Sequence, residues 1–198
     1  MRIALAAFVV VTAAPHLARA ENGSLEVAAG LSVPVAEDEY ADIIDESFKL
    51  AVRAVMARTP RSAFELGFDW TPSNYQAPLI GDLEVDVDRF RILFGGRFGA
   101  PIGTRARAFG RVAAGVDIVS VTASSEFLNA ESSERDVGLG LEFGGGIAVD
   151  VGPIDIGVQV AIPIAFHFDD DDPADNDDAD LEYTAVDLDL LVFAAVGF

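Results

Sequence analysis

From Val137 to Phe168 an apolar side chain stands at almost every second position. Across residues 137–151 these are Val137, Leu139, Leu141, Phe143, Ile147, Val149 and Val151, with Gly145 the one break. Between them lie Gly138, Gly140, Glu142, Gly144, Gly146, Ala148 and Asp150. Beyond Gly152-Pro153 the pattern resumes: Ile154, Ile156, Val158, Val160, Ile162, Ile164, Phe166 and Phe168 alternate with Asp155, Gly157, Gln159, Ala161, Pro163, Ala165 and His167. Successive side chains leave a strand on opposite faces, so a period of two held this long predicts two β-strands. A two-residue turn at Gly152-Pro153 pairs Val151 with Ile154 and Asp150 with Asp155, which keeps both faces in register. Glycine supplies the positive φ of a type II′ turn, and proline's fixed φ suits the next position. One face of the hairpin is wholly apolar and needs an apolar medium along its full length.

Six further segments read the same way. Residues 24–35 put Leu25, Val27, Ala29, Leu31, Val33 and Val35 against Glu26, Gly30 and Ser32. Residues 47–58 form the second, although Tyr40, Ile43, Ile44, Phe48, Ala51 and Val55 also fit helical spacing. A short helical turn near 39–44 followed by a strand reconciles the two patterns. The third, 63–71, carries Phe64, Leu66, Phe68 and Trp70. In the fourth, 84–100, Val85 and Val87 oppose Glu84, Asp86 and Asp88, and further along Phe90, Ile92, Phe94 and Phe98 oppose Arg89, Arg91 and Arg97. The shift by one place at Asp88-Arg89 predicts either a β-bulge or the end of an embedded stretch. The fifth, 105–121, sets Ala106, Ala108, Val112, Ala114, Val116 and Ile118 against Arg105, Arg107, Arg111 and Asp117. The eighth, 183–198, sets Val186, Leu188, Leu190, Val192, Ala194, Val196 and Phe198 against Asp187 and Asp189.

The connections alternate in length. Those at 59–62, 101–104 and 152–153 are tight, whereas 36–46, 72–83, 122–136 and 169–182 are long and polar. Eight strands, one apolar face, turns at one end and long acidic loops at the other describe an all-β, eight-stranded antiparallel up-and-down transmembrane β-barrel. Lipid offers the backbone no hydrogen bonds, so a closed barrel is the sheet that can span it.

Composition narrows the setting. Arg2, the apolar run 3–14 and Ala18-Arg19-Ala20 read as a secretory signal peptide over 1–20, with the barrel domain at 21–198. An exported chain without cysteine holds together without disulfides. No later run reaches the roughly 18 apolar residues of a transmembrane helix. A formal net charge of −20 argues against nucleic acid as a partner.

The charge also says which face looks inward. Eight of the 13 basic residues lie on the non-apolar faces: Lys49, Arg53, Arg89, Arg91, Arg97, Arg105, Arg107 and Arg111. Facing lipid near the midplane, each would cost about 2–4 kcal/mol. Inside, they meet Glu26, Glu65, Asp69, Glu142, Asp150, Asp155, Asp187 and Asp189, and the inward Gly138, Gly140, Gly144 and Gly146 leave space for long arginines. An eight-stranded barrel is only wide enough to be filled by side chains, so the expected lumen is a plug of ion pairs. A soluble lipocalin-like barrel would turn every Val, Ile and Phe inward, and residues such as Phe90, Phe94, Phe143, Phe166 and Phe168 would overfill it. The aromatics instead fall near strand ends, with Trp70, Phe90, Phe166 and Phe168 by the loops and Phe64, Phe98 and Phe198 by the turns, as in a double interfacial girdle.

The mature chain resembles the eight-stranded outer-membrane barrels of Gram-negative bacteria, such as the membrane domain of outer membrane protein A. The terminal Phe198, preceded by alternating Val196, Ala194, Val192 and Leu190, carries the resemblance most specifically. The third residue from the end, often aromatic in that family, is Val196 here. The resemblance implies that the barrel-assembly machinery reads the C-terminal strand through Phe198. It also implies a monomer in the cell outer membrane, among lipid and lipopolysaccharide, with no cofactor.

Two features suggest sharper chemistry. The loop from Asp169 to Asp180, DDDDPADNDDAD, clusters carboxylates of the kind that bind divalent cations such as calcium. It lacks the glycine and the glutamate of an EF-hand loop, and a solvated acidic loop is the plainer reading. His167 is the single histidine after signal cleavage. Some small outer-membrane barrels are lipid A-modifying enzymes with His and Ser groups, but here no serine is placed beside His167 by sequence. The sequence therefore points to a non-enzymatic barrel with a structural or adhesive task, and secondarily to a narrow porin-like channel or a lipid A-modifying enzyme.

Overall fold

The alternating segments become eight strands: β1 (Gly23–Pro34), β2 (Ser47–Thr59), β3 (Ser62–Gln76), β4 (Leu83–Pro101), β5 (Ala106–Ser125), β6 (Ala130–Asp150), β7 (Ile154–Phe168) and β8 (Leu181–Gly197). The computed structural model describes residues 23–35, 46–76, 83–125, 130–168 and 181–198. The signal peptide at 1–20, the helical turn near 39–44 and the acidic loop 169–180 lie outside the described residues. Each strand pairs antiparallel with the next, and β8 pairs with β1, so the sheet closes into a barrel in the order β1 to β8. Closure leaves no edge carrying unpaired N–H and C=O groups along the apolar belt.

The hairpin at Gly152-Pro153 has the expected register. Asp150 pairs with Asp155, and the Val151 N–H donates to the Ile154 carbonyl at 3.0 Å. Gly152 has φ of 104°, which favours glycine, and its N–H donates to Asp150 Oδ1 at 2.9 Å. Residues 47–58 are strand and not helix.

Two expectations need correction, and at Asp88-Arg89 the structure decides between two alternatives. The stretch 72–83 is not wholly loop, because β3 runs on to Gln76 and β4 begins at Leu83. The stretch 122–136 is mostly strand, with β5 reaching Ser125 and β6 starting at Ala130. Together β3 to β6 continue as a paired sheet beyond the apolar belt. Finally, β4 has no bulge at Asp88-Arg89. Its pairing runs unbroken through Asp88 with Ser120 and Arg89 with Val119. Val87 points inward with Arg89, while Asp88 faces outward and accepts a 2.8 Å bond from the Trp70 indole N–H. The shift in polarity marks the end of the apolar belt.

Burial runs opposite to that of a soluble protein. Val192 is 61% exposed and Phe94 59%, whereas Lys49, Arg53, Glu65, Glu142 and Asp189 are fully buried. A surface of this kind is stable only against lipid. The inside is also not purely ionic. Near the turn end Phe109, Leu191 and Phe193 pack inward with Ala28, Ala51, Ala148 and Ala195. Phe109 meets Phe193 edge-on at 5.8 Å between ring centroids, and the Arg97 guanidinium lies 4.5 Å from the Phe109 ring.

These side chains take the space that the β6 glycines leave. A Cβ on Gly146 would lie 2.8 Å from Phe109 Cζ, one on Gly138 2.9 Å from His167 Nδ1, and one on Gly140 3.5 Å from Leu93 Cδ2. The room goes to Phe109, His167 and Leu93 rather than to arginines. An added Cβ on Gly67 would instead sit 3.5 Å from Arg53 Cγ, so this glycine does leave room for an arginine.

Candidate functional site: the charged lumen

Inward positions alternate along each strand, so charges far apart in sequence meet on the barrel axis. Lys49 on β2 lies 2.5 Å from Asp189 on β8, 2.8 Å from Asp69 on β3 and 3.9 Å from Glu142 on β6. Ser32 adds a 2.7 Å bond to Asp189. Arg53 approaches Glu26 at 3.3 Å, Asp69 at 3.6 Å and Glu142 at 3.8 Å. Arg97 bonds Glu26 at 2.8 Å and Glu65 at 2.9 Å. Arg111 lies between Glu65 and Glu142 and pairs with both. A buried ion is tolerated only with partners of opposite charge, and each of these four cations has at least two.

A second group lies toward the loop end. Arg89 Nε donates to both Asp117 oxygens at 2.9 Å, and Arg91 Nε donates to Asp117 at 2.6 Å. Both arginines then reach Asp187 on β8, at 3.0 and 2.7 Å. His167 is fully buried, with Nε2 3.3 Å from Asp117 and Nδ1 2.5 Å from Asp136. Its ring stacks on Tyr183 at 4.5 Å, and the Tyr183 hydroxyl donates to Asp136 at 3.3 Å. Among the described residues no cluster of His, Asp and Glu is placed to hold a metal ion.

Of the residues singled out from sequence, Arg53, Glu65, Asp69, Arg89, Arg91, Arg97, Arg111, Glu142, Asp187 and Asp189 come together inside. Four do not join them. Arg107 pairs with Asp155 at 2.7 Å at the turn-side mouth, where its side chain is 51% exposed. Arg105 is exposed in the turn after β4, and Asp150 accepts from the Gly152 N–H. The tight turns make the difference, because these residues stand where the lumen opens to water. Within the expected carboxylates Arg91 takes Asp187 and Arg97 takes Glu26 and Glu65, while Asp117 joins as a further partner of Arg91.

Asp117 is the residue that sequence reasoning undervalued. Its inward position on β5 was legible, but not its role as acceptor for Arg89 and Arg91 and as close neighbour of His167. We expect His167→Phe to keep the stack on Tyr183 and lose both carboxylate contacts. Removing a polar neighbour from a buried acceptor costs about 1–3 kcal/mol. The check is the urea midpoint of the barrel in lipid vesicles, and an unchanged midpoint would deny His167 a bracing role.

No family model and no curated protein matches the sequence. Solved structures do match. A major outer membrane protein of Thermus thermophilus shares 14% identity at a TM-score of 0.62, covering 89% of this chain and 98% of that one. Neisserial surface protein A shares 12% identity at 0.58, covering 89% and 97%. Ail, the attachment invasion locus protein of Yersinia pestis, shares 14% identity at 0.55, covering 89% and 98%. The likeness is one of fold: this chain has the fold of the eight-stranded outer-membrane β-barrels. Its apolar outer belt and charged interior are those of a barrel that spans a lipid bilayer.

Proposed function

We propose that this chain, an outer-membrane barrel by fold and by surface, is non-enzymatic, has a lumen closed by its own side chains, and serves the cell surface in a structural or adhesive role. The observation that carries this reading is the cross-lumen network. Lys49, Arg53 and Arg111 are held among Glu65, Asp69, Glu142 and Asp189, all of them buried. Below them Phe109, Leu191 and Phe193 fill the bore. Among the described residues, what remains for a partner is the sheet of β3 to β6 that projects beyond the apolar belt, with Asp86, Asp88, Glu134 and Asp136 on it. One structural neighbour is named for attachment and invasion, which supports an adhesive role. An enzymatic role for His167 is disfavoured because Asp117, Asp136 and Tyr183 engage its ring.

The channel reading rests on a cavity of about 1070 Å³ that opens at the turn end. Its lining reaches Arg97 and Phe109 and goes no deeper. Purified protein in a planar bilayer should therefore show no steady conductance. Large, stable conductance of the wild type would reject the closed lumen and favour the channel.

A further inference from the structure

Every cation buried in the lumen has a carboxylate partner. Three exposed guanidiniums at the turn end, Arg58, Arg61 and Arg105, have none among the described residues. In a chain of net charge −20 this is not for want of carboxylates. Arg107 at the same mouth is taken by Asp155, and Arg135 stands at the opposite end of the barrel. Exposed positive charge thus collects at one rim of an otherwise acidic protein.

The position of Arg58 says what faces it. It stands at the register shift between Ala57 and Thr59, and its Cζ lies 5.7 Å from the centroid of the ring of Phe64, a residue of the lipid-facing side. Phe64 and Phe98 are 43% and 60% exposed and border the apolar belt at this end. Arg61 sits in the adjoining turn, whose backbone is pinned to β4 by the Gly99 N–H donating to the Arg61 carbonyl at 2.9 Å. A guanidinium lying over a ring keeps its N–H edge free to donate, and its planar fork matches two phosphate oxygens. Arg58 and Arg61 both reach the rim of the turn-end cavity, but the Arg58 guanidinium lies over Phe64 on the lipid-facing side, at the depth of lipid head groups.

We propose that the β2–β3 turn is a binding site for the phosphate of an anionic membrane lipid in the turn-side leaflet. Arg58 and Arg61 donate to the phosphate oxygens, Phe64 and Phe98 flank the glycerol and upper acyl chains, and Arg105 adds attraction from the next turn. The site rests on the bilayer-spanning reading of the barrel, which is tested separately by whether the unheated protein migrates differently from the boiled protein in detergent gels.

Native mass spectrometry tests the proposal on wild type released from micelles holding equal amounts of phosphatidylglycerol and phosphatidylcholine. Retained phosphatidylglycerol should predominate. A cation at a membrane surface contributes about fivefold in affinity, so Arg58→Gln and Arg61→Gln should each lower the preference by about that factor. Arg135→Gln should leave it unchanged. Equal retention of the two lipids by wild type would overturn the site, as would an unaltered preference in a folded Arg58→Gln/Arg61→Gln barrel. Capture of a polyglutamate peptide in place of phosphatidylglycerol would overturn it in favour of an acidic protein partner.

Discussion

Arg111→Ala should destabilise the barrel by about 3–5 kcal/mol, because it leaves buried charge without its partner. Arg111 lies between Glu65 and Glu142, and both are fully buried. Glu65 keeps Arg97 at 2.9 Å, but Glu142 is left with Lys49 at 3.9 Å and Arg53 at 3.8 Å, beyond hydrogen-bond reach. Nothing close by can grow into the gap. Gly144, paired with Arg111 across β5 and β6, has the Val160 carbonyl 2.9 Å from where a Cβ would stand. Adding Glu142→Gln should recover part of the loss by removing the stranded charge. Arg107→Ala, at a pair half open to water, should cost no more than about 1 kcal/mol. The comparison is made on urea midpoints in vesicles, and equal losses for Arg107→Ala and Arg111→Ala would refute the buried network as a source of stability.

Deleting Phe198 should abolish accumulation of assembled barrel in cells. The residue has two separable tasks. Its N–H donates to the Gly23 carbonyl at 2.9 Å where β8 meets β1, and its ring lies over Gly23, with Cε2 2.9 Å from the place a Cβ would occupy. The second, expected from the resemblance to outer-membrane barrels, would be recognition of this aromatic during insertion. Phe198→Ala keeps the backbone donor and loses the ring. It should refold from urea into detergent with yields near wild type yet fail to accumulate in the membrane fraction of cells. Wild-type membrane levels of Phe198→Ala would remove the terminal-signal argument, and failure to refold in vitro would make the ring a part of the closing seam.

The belt was legible because lipid on one side and charge on the other force a strict period of two. Val137–Val151 and Ile154–Phe168 show this most plainly, and their register followed from one turn. The sheet beyond the belt was hidden for the same reason. Around Thr122–Ser124 and Ser132–Asp136 both faces reach water, so the pairing continues without any apolar rhythm. The inward apolar residues were hidden by their neighbours: Leu191 and Phe193 sit in the run Leu190-Leu191-Val192-Phe193, where both faces are apolar and parity carries no contrast. Partners across the lumen were not legible at all. Nothing local ties Arg97 to Glu26, or Arg91 to Asp187; closure of the barrel brings them together.

The contacts from Arg89 and Arg91 to Asp187 join β4 to β8, which stand half a circumference apart in a ring of eight. They act as struts across a diameter. A hollow cylinder squeezed from the side ovalises easily, since bending its wall breaks no bond, but one braced across its width must stretch an ion pair to do so. Lateral pressure from the surrounding acyl chains is therefore taken up inside the bore and not by the hairpins. The cross-section stays round near the loop end, and the projecting sheet keeps one bearing toward whatever approaches from outside.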